Sequence, residues 1–528
     1  MKVPLDYDNP DKESAAIAIV RLPANVSSDS EEHLGPILIN PGGPGGSGVD
    51  SVVGKAEQYR SILGPQFDIV GFDPRGVQRS TPRAVFYETF VERLQTHHGS
   101  TELNHSAETP ESFWAYNQIM GNLALQRGKE YLPHMNTDHS ARDMLKIVEA
   151  YGQEKLQFWG FSYGSVLGYT FASMFPDKVG RVAIDGIVDP EDYYRMKWMT
   201  GIKDIENTRK WFLTSCKEAG PESCAFYEDS VEAMESKLNG IYTSLIKAPM
   251  PVEMPVETNV SSGLVTYGAV RYKMLRSLYS PFLDWRKLAV GLAGLAEGNA
   301  TAFYSLDAGP MFECDCDPTL NDLAPTTEAL NVYTCNDGDA VPSDVESAKA
   351  HYQESTEFSP FGSIWASFRI ACAGWSPELR KDYFRGVFWF DFVEYDKATK
   401  QLFPGPIGAT NTSFPLLVIG NVADPVTSID GAKNTTQLFP GSVLLTQDSP
   451  GHCSTKAPSV CTAQAIRAYF ANGTLPEEGT VCPMDGSPFD DPETASANSK
   501  RELGSEEDQI YKALHQLARA PDNLSLLV

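Results

Sequence analysis

The sequence predicts an α/β fold: a mainly parallel sheet covered on both faces and interrupted by a large, mostly helical insertion. Three observations carry this. Short apolar runs alternate with helical periodicity up to about residue 190, a long block without clear buried strands follows, and apolar strands resume after residue 406. Strands of a parallel sheet are buried on both faces, so they read as short continuous apolar runs rather than as alternating ones.

Taken in order, Ile37-Leu38-Ile39 is the first such run, and it ends in a Gly/Pro-rich loop from Asn40 to Gly48. The second, Phe67-Asp68-Ile69-Val70-Gly71-Phe72, stops at Asp73-Pro74-Arg75-Gly76. Ala141, Met144, Leu145 and Val148 recur at helical spacing and predict a helix from about Thr137 to Ala150. Leu156 to Trp159 then reads as a strand, Ser165 to Phe175 as a helix and Val182 to Ile187 as another strand. From about Asp189 to Pro406 the pattern is helical and rich in loops, which reads as a cap inserted between sheet strands. The sheet resumes with Phe414 to Gly420 and Ser442 to Thr446, followed by a helix from about Ala463 to Phe470. Asp485 to Glu502 is polar and reads as loosely ordered, and a surface helix is expected around Glu506 to Ala518. The expected organisation is therefore 1–190 as the N-terminal part of the core, 191–405 as the cap, 406–485 as the C-terminal part of the core, and 486–528 as a polar tail with a terminal helix. No internal repeat is present.

With 69 acidic against 43 basic residues among 528, the formal net charge is -26. Nucleic acid is excluded as a partner, because no Lys/Arg run offsets the repulsion of a phosphate backbone. The simplest reading of the acidity is solubility. No apolar run approaches the ~18 residues that would span a membrane, so a soluble chain is expected.

Nine cysteines are too few for a disulfide scaffold at this length. Cys216 and Cys224 bracket a short loop, Cys335 and Cys372 flank a helical stretch, and Cys461 and Cys482 enclose a segment ending in a Gly/Pro turn. An oxidising compartment would allow disulfides at these three pairs. Cys314, Cys316 and Cys453 are left over, and the odd total implies a free thiol. Sequons at Asn25, Asn104, Asn259, Asn299, Asn411, Asn434, Asn472 and Asn523 exceed chance and point to secretion. No apolar leader follows Met1, so a secreted chain would have lost its leader or would start upstream of this methionine.

The chemistry centres on Gly160-Phe161-Ser162-Tyr163-Gly164. A five-residue Gly-x-Ser-x-Gly pattern is weak alone, but here a strand precedes it and a helix follows, the context in which the serine sits exposed on a sharp turn. A serine hydroxyl needs a base, and the base needs an orienting carboxylate. His452, in Ser449-Pro450-Gly451-His452, sits just after the Ser442 to Thr446 strand. His33, His97, His98, His105, His134, His139, His351 and His515 lie in polar or helical surroundings with no strand ending just before them. Asp424 follows the Phe414 to Gly420 strand directly and is the expected acid; Asp448 stands too near His452 along the chain, and Asp430 falls in the following helix. The order Ser, Asp, His is that of α/β-hydrolases. An oxyanion hole needs two backbone N–H groups, one from Tyr163 and one from the Asn40 to Gly48 loop, where Gly43 is favoured and Gly42 is the near alternative. No cofactor is expected. The glycine loop lacks a Gly-Lys-Ser/Thr ending and any dinucleotide fingerprint, and Cys314-Asp315-Cys316 has no second Cys/His pair to complete a zinc site.

These segments, with Val3-Pro4-Leu5-Asp6-Tyr7, Asp73 to Gly76 with Ser80, Asp185 to Pro190 and Asp424-Pro425-Val426-Thr427, resemble the tripeptidyl-aminopeptidase and proline-iminopeptidase group of α/β-hydrolases. Cys461, Tyr469 to Gly473, Leu475-Pro476, Gly479-Thr480 and Cys482 are similar to the C-terminal domain of tripeptidyl-aminopeptidase-like proteins. The likeness covers residues 3 to 482 and is weakest in the cap. It implies the α/β-hydrolase fold and hydrolysis of a peptide bond near a free N-terminus, with an esterase or amide hydrolase of a small metabolite as the alternative. It also implies a cap acid that holds the substrate's α-amino group, for which Asp192, Glu206, Glu313 and Asp391 all qualify. Asn40-Pro41 stands where iminopeptidases commonly have a histidine before their double glycine, which favours the tripeptidyl branch. A cysteine that normally precedes the first strand is not in this chain, consistent with the odd count. Peptides or small molecules are the expected partners, and oligomeric state is left open.

Overall fold

The computed structural model describes residues 1–98, 103, 109–306, 326–380, 407–491 and 505–521. Strands β1 (Lys2–Pro4) and β2 (Ser14–Ala16) form a small antiparallel pair. They are followed by β3 (Ile19–Leu22), β4 (Pro36–Asn40), β5 (Asp68–Phe72), β6 (Leu156–Phe161) and β7 (Val179–Asp185). After a two-stranded ribbon of β8 (Met250–Val252) and β9 (Gly263–Val265) come β10 (Leu417–Ala423), β11 (Val443–Pro450) and β12 (Val481–Pro483). The helices that bear on the site are α1 (Gly48–Leu63), α2 (Thr137–Ala150), α3 (Tyr163–Met174), α4 (Thr326–Asp337), α5 (Ile429–Leu438), α6 (Val460–Asn472) and α7 (Ser505–Ala518).

Eight strands form one sheet in the order β12-β11-β10-β7-β6-β4-β5-β3. Every neighbouring pair is parallel except β3, which runs antiparallel to β5 at the edge. Successive side chains point to opposite faces. Ile37, Ile39, Ile69, Trp159, Leu417 and Ile419 join α1, α6 and α7 on one side. Leu38, Val70, Phe158, Val182, Ile184 and Val418 join α2 and α3 on the other. Each fully buried aliphatic or aromatic side chain contributes about 1.5–3 kcal/mol, so this double layer is what holds the sheet rigid under the site.

Helix α2 occupies the span expected from its periodicity. Strand β10 starts three residues later than expected, at Leu417, because Pro415 has no N–H to give to a ladder. Helix α1 went unread, although Val49, Val52, Ala56, Tyr59 and Ile62 bury one face at helical spacing and the Ser47 side chain caps its start. The inserted block is mostly helical, with helices Ile205–Ala219, Val231–Lys247, Tyr267–Tyr279, Pro281–Ala296 and Val345–Phe358 besides α4. The β8–β9 ribbon is an unexpected addition there; its strands are only three residues long, too short to show a period, yet Val252 and Val265 are buried beneath it.

Three disulfides join Cys216 to Cys224, Cys335 to Cys372 and Cys461 to Cys482. Cys453 is a buried thiol outside any disulfide. Cys314 and Cys316 lie outside the described residues, as does the expected loosely ordered stretch from residue 492 onward to 504. Helix α7 is more than a surface helix. Ile510, Ala513, Leu514 and Leu517 are buried, and its apolar face joins the core beside α1 and α6. No described helix is long and apolar enough to cross a membrane.

Candidate active site

Parallel pairing brings the C-terminal ends of β4, β6, β7, β10 and β11 to one edge of the sheet, where loops rather than ladder bonds occupy the backbone. Ligand sites of open parallel sheets form at this edge. Ser162 follows β6 directly and has φ +55° and ψ -120°, a conformation that costs a non-glycine residue about 1–3 kcal/mol. The neighbours make it possible. A Cβ on Gly160 would lie 2.4 Å from the Gly164 carbonyl oxygen, and one on Gly164 would lie 2.8 Å from that of Asn40. The Ser162 N–H donates to the Asp185 carbonyl at 2.9 Å, and the Ser165 N–H donates to the Ser162 carbonyl at 2.7 Å. Tyr163 then opens α3, where an N–H has no intrahelical acceptor and the helix dipole presents its positive end.

His452 stands two residues beyond β11. Its Nδ1 is 3.1 Å from each oxygen of the Asp424 carboxylate, which directly follows β10. The same carboxylate accepts the N–H groups of Val426 at 3.0 Å, Thr427 at 2.8 Å and Cys453 at 2.9 Å. Burial alone would raise its pKa, but the His452 ring and these N–H donors hold it below the ordinary carboxylate value. The ring is further set by Thr427 Oγ1 at 3.2 Å from Nδ1 and by edge contact with the Tyr279 ring, while the His452 backbone N–H donates to the Tyr279 carbonyl at 2.9 Å. Asp448 is exposed on β11, and Asp430 lies in the first turn of α5, paired with Lys203 and Lys433. Neither faces His452.

The loop after β4 settles against the serine turn: a Cβ on Gly42 would lie 2.4 Å from the Phe161 carbonyl oxygen and 2.8 Å from Ser162 Cβ. The Gly42 N–H donates to Asn40 Oδ1 at 3.0 Å. Gly43, and not Gly42, lines the cavity that also contains Ser162, Tyr163 and His452. Asn40 is thus what shapes the loop.

Most of the remaining wall comes from the inserted block, through Asp192, Tyr193, Trp198, Tyr279, Trp365 and Phe368, with Asp189 and Val426 flanking it. Trp198 and Phe368 stack at 4.4 Å with 12° between their planes. Of the four acids considered for amine binding, Asp192 alone lines this cavity among the described residues. Burial pushes its pKa up to about 6, opposed by the Met199 and Thr200 N–H groups it accepts at 2.9 and 3.0 Å. Glu206 pairs with Arg209 instead. Glu313 and Asp391 lie outside the described residues.

Three supports escaped the sequence reading. Asp185, at the end of β7, accepts the N–H of Ser454 at 2.8 Å and its hydroxyl, while its carbonyl accepts the Ser162 N–H. Burial pushes its pKa up to about 6. Asn421 donates to the carbonyls of Gly451 and Cys453 at 2.8 and 2.9 Å, bracing the loop that carries His452. Asp337, at the end of α4, accepts from the Thr137 N–H at 2.9 Å, the Thr137 hydroxyl at 2.6 Å and the Tyr193 hydroxyl at 2.8 Å, and Thr137 meets the Tyr163 hydroxyl at 2.6 Å. Asp185 ends a strand, Asn421 lies within one and Asp337 ends a helix, so only their three-dimensional neighbours distinguish these.

Fold and sheet topology are those of the α/β-hydrolase fold. The family profile described as "alpha/beta hydrolase fold" matches residues 35–215, and that described as "TAP-like protein" matches residues 356–482. The first contains the Gly-rich loop and Ser162; the second contains Asp424 and His452. The chain is 28% identical over 490 residues to the serine protease Hip1 of Mycobacterium tuberculosis, covering 91% of this chain and 86% of that protein. It is 25% identical over 510 residues to the tripeptidyl aminopeptidase of Streptomyces lividans, covering 92% and 83% respectively. A carboxylesterase B of Mycobacterium tuberculosis is 26% identical over 500 residues, covering 91% and 85%. The chain therefore has the α/β-hydrolase fold with a stretch that matches TAP-like proteins, and it is similar over most of its length to hydrolases that include peptidases.

Proposed function

We propose that the chain is a serine peptidase that cleaves peptides near a free N-terminus, as a tripeptidyl or prolyl aminopeptidase, through an acyl-enzyme. Ser162 is the nucleophile, His452 the general base and Asp424 its orienting acid. The N–H groups of Gly43 and Tyr163 form the oxyanion hole. With Nδ1–H held by Asp424, the other ring nitrogen of His452 takes the Ser162 proton as Oγ attacks the scissile carbonyl. The tetrahedral oxyanion receives the two N–H donors, and its collapse expels the peptide amine, protonated by His452. Water, deprotonated by the same ring, then hydrolyses the ester and restores Ser162.

One observation carries the peptidase reading: the cavity that holds Ser162 and His452 also holds the buried carboxylate of Asp192. A substrate ammonium meeting that carboxylate would set the distance from the N-terminus to the cut bond. Similarity to a tripeptidyl aminopeptidase and a serine protease supports the same conclusion. The esterase alternative draws its support from the carboxylesterase B relative, since one triad serves both chemistries. We read residues 191–405 as the cap that supplies most of the cavity wall. Secretion with N-glycosylation is supported by the three disulfides and by the exposure of Asn25, Asn259, Asn299, Asn411, Asn434 and Asn472.

A panel of aminomethylcoumarin peptides with free or acylated N-termini tests the reading. Release from the free series alone supports an aminopeptidase. Equal turnover of both series removes the free-amine requirement, and turnover of esters alone selects the esterase. Fluorophosphonate labelling that persists in Ser162→Ala would refute the nucleophile.

A further inference from the structure

Away from the catalytic cavity, two histidines passed over as bases meet an aspartate beside the N-terminal strand pair. Asp6 lies in the turn between β1 and β2, His134 ends the short 3-10 turn Leu132–His134, and His139 sits in the first turn of α2. One potential ligand atom from each lies within 4.8 Å of the other two. His139 is fully buried and His134 is 6% exposed, whereas Asp6 is half-buried and leaves an approach from solvent. Two imidazoles and one carboxylate suit Zn²⁺ and the neighbouring first-row dications, and exclude Mg²⁺ or Ca²⁺ as preferred ions.

The surroundings prepare one ring for this role. Asn136 caps α2, and its Oδ1 accepts the His139 N–H at 2.9 Å, which fixes which end of the amide is oxygen. His139 Nδ1 lies 2.9 Å from that same oxygen, so Nδ1 carries the proton and Nε2 presents a lone pair. A ligating histidine is held in this way, with its second nitrogen donating to a fixed acceptor. The Asp6 carboxylate is oriented by the Asp8 N–H and the Asn9 side-chain amide, each at 3.0 Å. The His134 and His139 rings meet edge to face at 5.7 Å, which leaves their nitrogens clear of a parallel stack. Two guanidiniums approach Tyr7, whose ring packs on His139, but Arg75 is paired with Asp143 at 2.7 Å and Arg142 with Asp138 at 2.8 Å. A dication therefore meets no uncompensated positive charge there.

The geometry points to Asp6, His134 and His139 as the three protein ligands of a Zn²⁺-class dication, with water in the fourth position. Such an ion staples the turn between β1 and β2 to the start of α2. Thr137, in the same turn of α2 as His139, touches the Tyr163 hydroxyl and Asp337, so the staple supports the scaffold behind the nucleophile and takes no part in the chemistry.

The full chain, prepared without a polyhistidine tag and stripped with chelator, is titrated with Zn²⁺, and with Co²⁺ for its visible spectrum. One ion per chain, a melting temperature that rises with Zn²⁺, and a tetrahedral cobalt spectrum are expected. His139→Gln and His134→Gln each weaken binding by at least about tenfold, and Asp6→Asn, at a half-buried turn position that spares the core, does likewise. Wild-type chain that takes up no Zn²⁺ overturns the site. So does uptake unchanged in Asp6→Asn and His139→Gln. Asp424, His452 and Cys453 form the other group able to hold an ion among the described residues, so uptake abolished by His452→Ala but kept in His139→Gln moves the ion to the triad and equally overturns the proposal.

Discussion

Replacing Asp424 with asparagine isolates what the carboxylate does, because size and shape are kept while one acceptor becomes a donor. In the native site one oxygen accepts from Val426 and Thr427, the other accepts from Cys453, and both face His452 Nδ1. The amide oxygen will take the side with two N–H groups, which aims the new NH2 at the Cys453 N–H and at Nδ1. Nδ1 must then give up its proton to accept, which moves the proton to Nε2 and leaves the ring unable to receive one from Ser162. Loss of this tautomer costs about 10⁴-fold in turnover in a triad of this kind, roughly 5 kcal/mol of transition-state stabilisation. The clash with the Cys453 N–H adds about 1–3 kcal/mol of instability, a separate and smaller effect. Turnover of a free-amine peptide, normalised by active-site titration, measures the first, and thermal denaturation the second. A loss of less than about tenfold would refute the assignment of Asp424 as the orienting acid.

Asp185→Asn keeps a side chain beside Ser454 but weakens its charge-assisted bonds, so turnover is expected to fall by about tenfold with KM little changed. An unchanged turnover at unchanged stability would remove Asp185 from the support of the His452 loop. Asp192, with its pKa pushed up to about 6, is neutral below that pH and ionised above it. KM for free-amine peptides should therefore fall as pH rises from about 5 to 7, and Asp192→Asn should raise KM and flatten that dependence; a variant with native KM would exclude it as the amine anchor. The Cys335–Cys372 disulfide ties α4 to the segment bearing Trp365 and Phe368 across a separation of 37 residues. Its removal by paired Cys→Ala replacement should cost about 3–4 kcal/mol of stability and raise KM more than it lowers kcat, read by denaturation and steady-state kinetics.

The parts of the candidate site that were legible are those set by local chain geometry. Ser162 could be read because flanking glycines, a preceding apolar strand and a following helix all lie within a few residues. Asp424 and His452 could be read because each directly follows an apolar strand, and parallel strands of one sheet present their following loops at one edge. Gly43 was favoured over Gly42 from the sequence, and the bond from the Gly42 N–H to the Asn40 side chain, an interaction that no periodicity records, is what supports proposing Gly43. Asp192 was one acid of four, and only folding brings it to the cavity wall.

Apolar periodicity thus determined the α/β class and the main strands, because burial on both faces or on one leaves its mark residue by residue. It did not determine which faces meet. The α7 helix is polar on average, yet its buried stripe of Ile510, Ala513, Leu514 and Leu517 closes the core, and its partners α1 and α6 lie far off in sequence. Likewise, Asp185 gains its bond to Ser454 only because β7 and β11 flank β10 in the sheet. Sheet order and register decide such contacts, and they result from the cooperative packing of the whole chain rather than from any segment within it.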